Sequence, residues 1–249
     1  MAQIGHGYGS EWQLLRMLGH HREYFFNELK RQLNLSQDAE IHWLDYGFDE
    51  SNVSGDKEYK QREFFKDIPK IFTPEVLNEF KKDNFGSILK QNWDGIFWVD
   101  KTVYLVEAKA HKKEIISDCK ADNQKSLSNI EKCFIETRDY FNISSDNDWK
   151  KIYYQMANRV AFLKLLLSYG IETKLVNIYF IDGYEKKVKD PDSDKYYTIQ
   201  NKNTSQEIWE KAILEEENYL GISELRNKYI FPVFVNCKAT YDYSCCKSQ

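Results

Sequence analysis

Apolar residues recur at helical spacing early in the chain. Leu14, Leu18, Phe25, Leu29 and Leu33 follow Ser10, a good N-cap, and predict a first helix starting there. A short β-run lies at 41–46, and the polar, turn-rich stretch 49–62 reads as an exposed loop. Thr73-Pro74 opens a second helix that runs to about residue 82. Two β-rich runs, 93–99 and 102–106, flank Asp100-Lys101, which predicts a hairpin. Helices follow at about 123–141 and 149–168. The second carries apolar residues on two faces, as a central helix does, and Gly170 suits its C′ position. A buried strand at 175–181, a charged insertion at 182–204, a helix at 205–219 and a strand at 229–235 complete the pattern. Pro232 predicts that the last strand is an edge or carries a bulge. The tail from Cys237 reads as polar and loose. Helices and strands alternating in this order predict an α/β layer fold.

The 249 residues are enough to bury a large core. A net charge of −4 and a pI of about 5.8 weigh against a DNA-coating protein. They allow an enzyme whose acids gather at its active site. The five cysteines are odd in number and have neither CxxC nor Cys/His zinc spacing, which predicts free thiols in a reducing, cytoplasmic setting. The first residues lack a signal-peptide apolar region. The longest apolar stretch, 160–167, is interrupted by Lys164 and is far too short for a membrane span. No Walker-type glycine loop or GxSxG element is present.

The predicted hairpin places the chemistry. Glu107 and Lys109 are two apart on a strand and so share a face. An antiparallel partner turning at Asp100-Lys101 brings Asp94 beside them. Two carboxylates, with a backbone carbonyl at Ala108, suit a hard divalent ion such as Mg²⁺ or Mn²⁺. Such an ion polarises a phosphoryl oxygen and acidifies water, and an adjacent lysine steadies developing charge. The tripeptide Glu-x-Lys occurs six times in the chain, but only at Glu107 does it close an apolar strand whose partner bears an acid. The bland alternative is a structural ion pair at a strand end.

The run Trp93-Asp94-Gly95, then Val106-Glu107-Ala108-Lys109-Ala110-His111, resembles the D-x(n)-(E/D)-x-K motif of the PD-(D/E)XK nuclease superfamily, with Trp93 in place of the proline. Glu11 and the Tyr154-Gln155-Met156-Ala157-Asn158-Arg159 helix extend the resemblance to a group of uncharacterised bacterial members, over roughly residues 10–181. It implies a restriction-endonuclease-like fold, with a mixed central β-sheet flanked by α-helices. A single domain is expected over 1–249, with its core at about 10–181 and a C-terminal extension at about 182–249. It implies a nuclease dependent on Mg²⁺ or Mn²⁺ that hydrolyses nucleic acid phosphodiesters, DNA first. Asp94, Glu107, the Ala108 carbonyl and Glu11 would hold metal. Lys109 and Gln155 would act in catalysis, and Arg159 and His111 would contact substrate phosphate. Glu114 is a weaker candidate, and His20-His21 read as a pair on the first helix. The lysines and arginines of 57–62 and 186–189, and Tyr196-Tyr197, read first as solvated or packing residues and second as nucleic-acid contacts. Oligomeric state stays open, a homodimer among the options. The rival readings are a non-catalytic nucleic-acid or protein binding module and a metal-dependent hydrolase of small phosphate esters.

Overall fold

The computed structural model describes residues 9–45, 59–60, 65, 67–68, 71–82, 91–189, 192, 196–200 and 204–237. The chain is a mixed α/β protein. Its five-stranded sheet has the order β1 (His42–Trp43), β4 (Gly95–Val99), β5 (Thr102–Lys109), β6 (Thr173–Ile181), β9 (Ile230–Asn236). β1, β4 and β5 pair antiparallel, whereas β5–β6 and β6–β9 are parallel. β5 and β6 are therefore the central pair. Six of the eight residues of β5 and seven of the nine of β6 are buried, as expected for strands covered on two faces. β9 is an edge strand, which is where Pro232 does no harm to the ladder. The sheet thus takes its last strand from beyond residue 181.

Helices cover both faces. On one side α1 (Gly9–Gly19) and α2 (Arg22–Gln32) pack Leu14, Met17, Phe25 and Leu29 against Tyr104, Val106, Val176 and Ile178. On the other, α4 (Gln124–Phe141) and α5 (Tyr154–Ser168) pack on Val103, Leu105 and Leu175. α6 (Gln206–Leu220) sets Trp209 and Ile213 against Tyr179. α5 buries residues right round its circumference, so it is the central helix of its layer. No helix among the described residues is long and apolar enough to cross a membrane.

Several elements differ from the sequence expectation. The first helical pattern is two helices, broken at His20-His21, where the backbone N–H groups of both histidines donate to the Arg16 carbonyl. Gly19, a poor helix former, ends α1 at that break. The predicted strand at 93–99 is split at Asp94. β3 (Asn92–Trp93) leaves the main sheet to pair with β2 (Tyr59–Lys60), a strand inside the stretch read as a loop. The helix expected from 149 begins only at Tyr154, because Ile152 holds a left-handed backbone, φ 61°, that no helix tolerates. The insertion after residue 182 contains a hairpin, β7 (Tyr184–Lys189) with β8 (Tyr196–Gln200), which carries Lys186–Lys189, Tyr196 and Tyr197. Cys237 is buried, and its N–H donates to the Ile181 carbonyl, so the chain is anchored there. Cys119, Cys133 and Cys237 form no disulfide among the described residues. α3 (Pro74–Lys82), the turn at Asp100-Lys101 and the Asn123 cap of α4 follow the pattern read from sequence. The remaining basic residues of 57–62 and the tail 238–249 lie outside the described residues.

Candidate active site

Alternation along β5 decides which side chains meet. Val103 and Leu105 face α4 and α5, so Glu107 and Lys109 face the same way and emerge where α5 begins. The hairpin register pairs Gly95 with Val106, which puts Asp94 opposite Glu107. Asp94 sits at the kink between β3 and β4, and its Oδ2 accepts the Ala108 N–H at 2.7 Å. The kink needs Gly95: a Cβ there would lie 2.4 Å from the Trp43 ring.

Glu107 is buried and saturated. Its Oε1 accepts from Lys109 Nζ at 2.5 Å and from Gln155 Nε2 at 2.7 Å. Its Oε2 accepts from Arg159 Nε at 2.9 Å and Nη2 at 2.6 Å. Those four bonds use the roughly four lone-pair directions of a carboxylate. Lys109 Nζ also donates to Gln155 Oε1 at 2.8 Å. Arg159 Nη2 donates to the Asn92 carbonyl at 2.7 Å, and its guanidinium lies 4.5 Å from the Trp93 ring centroid. Gln155 and Arg159, one turn apart on α5, thus clamp the strand carrying Glu107. Burial alone would raise the Glu107 carboxyl. The charges of Arg159 and Lys109 outweigh it and hold the group below its ordinary value. Burial would likewise lower Lys109, but Glu107 and Asp94 hold its ammonium above the ordinary value.

These residues line a cleft of 550 Å³, together with Glu11 from α1 and Glu114. Glu11, Asp94, Glu107, Lys109, Gln155 and Arg159 are therefore brought to one place from four separate segments. Ala108 lines the cleft too, and it contributes its N–H to Asp94. His111 is not among the lining residues. Its Nε2 lies 3.2 Å from Glu114 Oε1, and its buried Nδ1 has no hydrogen-bond partner among the described residues. Glu114, the weaker candidate by sequence, lines the cleft and accepts the Ala110 N–H at 2.8 Å. His20 and His21 mark the break between two helices and take no part.

Sequence reasoning missed Gln91, Asn158 and Glu216. Gln91 and Asn158 line the cleft and are joined by a 2.5 Å bond from Gln91 Nε2 to the Asn158 carbonyl. Glu216, on α6, is buried beside Lys109 and Tyr179 in a water-sized pocket behind the cleft. Burial pushes its carboxyl up to about 8. Its position, in a Glu-rich run on a surface helix, gave no sign of this: only the fold shows which of Glu215, Glu216 and Glu217 turn inward.

No family model matches the chain, and no curated protein and no solved structure matches it significantly. The chemistry of the cleft has to be read from its own residues.

A hard divalent cation takes oxygen ligands, and the cleft offers the carboxylates of Glu11, Asp94, Glu107 and Glu114. Among the described residues that line the cleft, these four acids outnumber the two cations, Lys109 and Arg159. Among the described residues no group of three or more His, Cys, Asp or Glu side chains is arranged to hold a metal ion. The set expected from sequence, the carboxylates of Asp94, Glu107 and Glu11 with the Ala108 carbonyl, contains three such side chains, and they line the cleft without being gathered into a metal-holding group. The donor chemistry fits Mg²⁺ or Mn²⁺. For Glu107 to take part, a cation would replace at least one of the bonds from Lys109, Gln155 or Arg159.

Proposed function

We propose that the chain is a Mg²⁺- or Mn²⁺-dependent phosphodiesterase acting on nucleic acid, DNA first, with a restriction-endonuclease-like arrangement of the PD-(D/E)XK type. The observation that carries this reading is the convergence of Asp94, Glu107 and Lys109 with Arg159 and Gln155 in one cleft. An excess of acids over bases would repel a phosphodiester by itself, and a divalent cation offsets that repulsion. Asp94 and Glu107 would hold the ion, with Glu11 beside them. Bound there, it supplies Lewis-acid polarisation of the phosphoryl group and a more acidic water.

The chain's own residues do the rest. The Nε and Nη2 of Arg159 are held by Glu107 and Asn92, so its Nη1 is the donor that would reach a phosphate oxygen in the cleft. Lys109, charged at neutral pH, steadies negative charge as it builds on the phosphoryl oxygens. Gln155 fixes Lys109 through its Oε1 and Glu107 through its Nε2, so it positions both.

Purified protein incubated with plasmid, linear duplex, single-stranded DNA and RNA, with Mg²⁺, Mn²⁺ or EDTA, tests the proposal. Cutting that needs the metal and disappears in Lys109→Met supports it. The saturated Glu107 carboxylate favours a second reading, a non-catalytic phosphate-binding module. Binding of polymer without turnover, unaffected by EDTA, would select that reading instead.

A further inference from the structure

One layer of side chains separates the cleft from a smaller cavity behind it. Glu107, Lys109, Gln155 and Arg159 line both. The rear cavity measures 20 Å³, room for one water molecule. Its far side is polar. The parallel register sets Asn177 of β6 beside Glu107 and Tyr179 beside Lys109, and both line the cavity with Glu216 of α6. None of the three is more than 4% exposed. Among the described residues their side chains form no hydrogen bond with one another or with any other group. Buried polar side chains are satisfied by protein or by ordered water. Three such groups around a space of this size supply the partners that one water needs.

The rear cavity bears on how Glu107 could serve a cation in the cleft. The Glu107 carboxylate is occupied by Lys109, Gln155 and Arg159, and it reaches a cation only by giving up some of those bonds. Arg159 then keeps the Asn92 carbonyl, and Lys109 keeps Gln155 Oε1. Lys109 carries three N–H donors, and a buried donor left unmet costs more than the lost bond itself was worth. Behind the ammonium, the cavity offers the replacement: a water that accepts from Lys109 Nζ and donates to a Glu216 carboxyl oxygen. The carbonyl oxygen of that group accepts whether or not the carboxyl holds a proton, so the link does not depend on its charge.

We propose that Glu216 is a positioning residue for Lys109, joined to it by one water in the rear cavity, and that this link takes over the lysine when Glu107 turns to the cation. This rests on the proposed nuclease reading and adds to it a residue from outside the expected motif. The test titrates full-length protein with Mn²⁺ alone, without nucleic acid, and reads affinity by calorimetry. Glu216→Leu removes the acceptor and is expected to bind Mn²⁺ about tenfold more weakly than wild type. Glu216→Gln keeps an amide oxygen for the water and is expected to stay close to wild type. In a Lys109→Met background, Glu216→Leu is expected to change Mn²⁺ affinity no further, because the effect runs through the lysine. A purely structural role for Glu216 would give the same loss in both backgrounds. Thermal melting checks each variant, and Glu216→Met replaces Glu216→Leu if the latter does not fold. Unchanged affinity in Glu216→Leu, or an equal loss in the Lys109→Met background, would overturn the inference and leave the nuclease reading standing. A Glu216→Gln variant as weak as Glu216→Leu would overturn the water link. A wild type that binds no Mn²⁺ would overturn both readings together.

Discussion

Glu107 holds the site together, and its environment fixes how it responds to change. Removing its carboxylate leaves the buried Arg159 without its carboxylate partner and Lys109 with Asp94 as its main counter-charge, a loss of about 3–5 kcal/mol in comparable buried pairs. Glu107→Ala is therefore expected to lower the urea midpoint severely. Asp94→Asn should not, because an amide oxygen can still accept the Ala108 N–H. The pH behaviour has a definite sign. Glu107 titrates below its unfolded value, so it contributes stability above about pH 4.5, and that contribution is lost as the pH falls further. Glu216 works the other way. With its carboxyl pushed up to about 8, the folded state holds a proton that the unfolded state releases above about pH 4.5. Stability attributable to this group falls as the pH rises between those values. Thermal melts at about pH 5 and about pH 9 should show a smaller loss in Glu216→Gln than in wild type, and equal losses would contradict the assignment.

At the scale of elements, two backbone features aim the site. Gly95 lets the β3–β4 kink pass against Trp43, and that kink turns Asp94 toward β5. Gly95→Ala must move the Trp43 ring, and an overpacking cost of about 1–3 kcal/mol is expected, read as a lower melting temperature. Ile152→Gly should raise the melting temperature, since it removes strain of about 1–3 kcal/mol. The hairpin and the sharing of a face by Glu107 and Lys109 were legible because they depend on period-two alternation and one turn. The kink at 94 was not legible, because Trp93 and Phe97 are both apolar and continue the strand pattern across it. The start of α5 was misjudged for a related reason. Trp149 and Ile152 fit a helical stripe, while the bonds from Ser117 and Asp118 that bend the segment come from residues more than thirty positions earlier. The inward turn of Glu216 likewise depends on tertiary packing that local periodicity does not encode, whereas the break at Gly19 had a local signal in the glycine itself.

At the scale of the molecule, the sheet gathers what the sequence scatters. β5 and β6 run parallel through the centre and end beside the N-terminus of α5, while α1 brings Glu11 to the same edge from the opposite layer. The cleft therefore forms where three layers meet, and among the described residues that line it acids outnumber bases. Binding of the divalent ion to the folded cleft should also stabilise the fold by mass action, so that Mg²⁺ or Mn²⁺ raises the melting temperature of wild type and not of Asp94→Asn.

The central claim is that this cleft cleaves phosphodiesters with a divalent ion. The most direct measurement is cleavage of DNA by wild type and Asp94→Asn side by side in Mn²⁺ or Mg²⁺, with both shown to be equally folded by thermal melting. Metal-dependent cutting by wild type, reduced about a hundredfold or more in Asp94→Asn, is the predicted result. Equal cutting by the two proteins would contradict it.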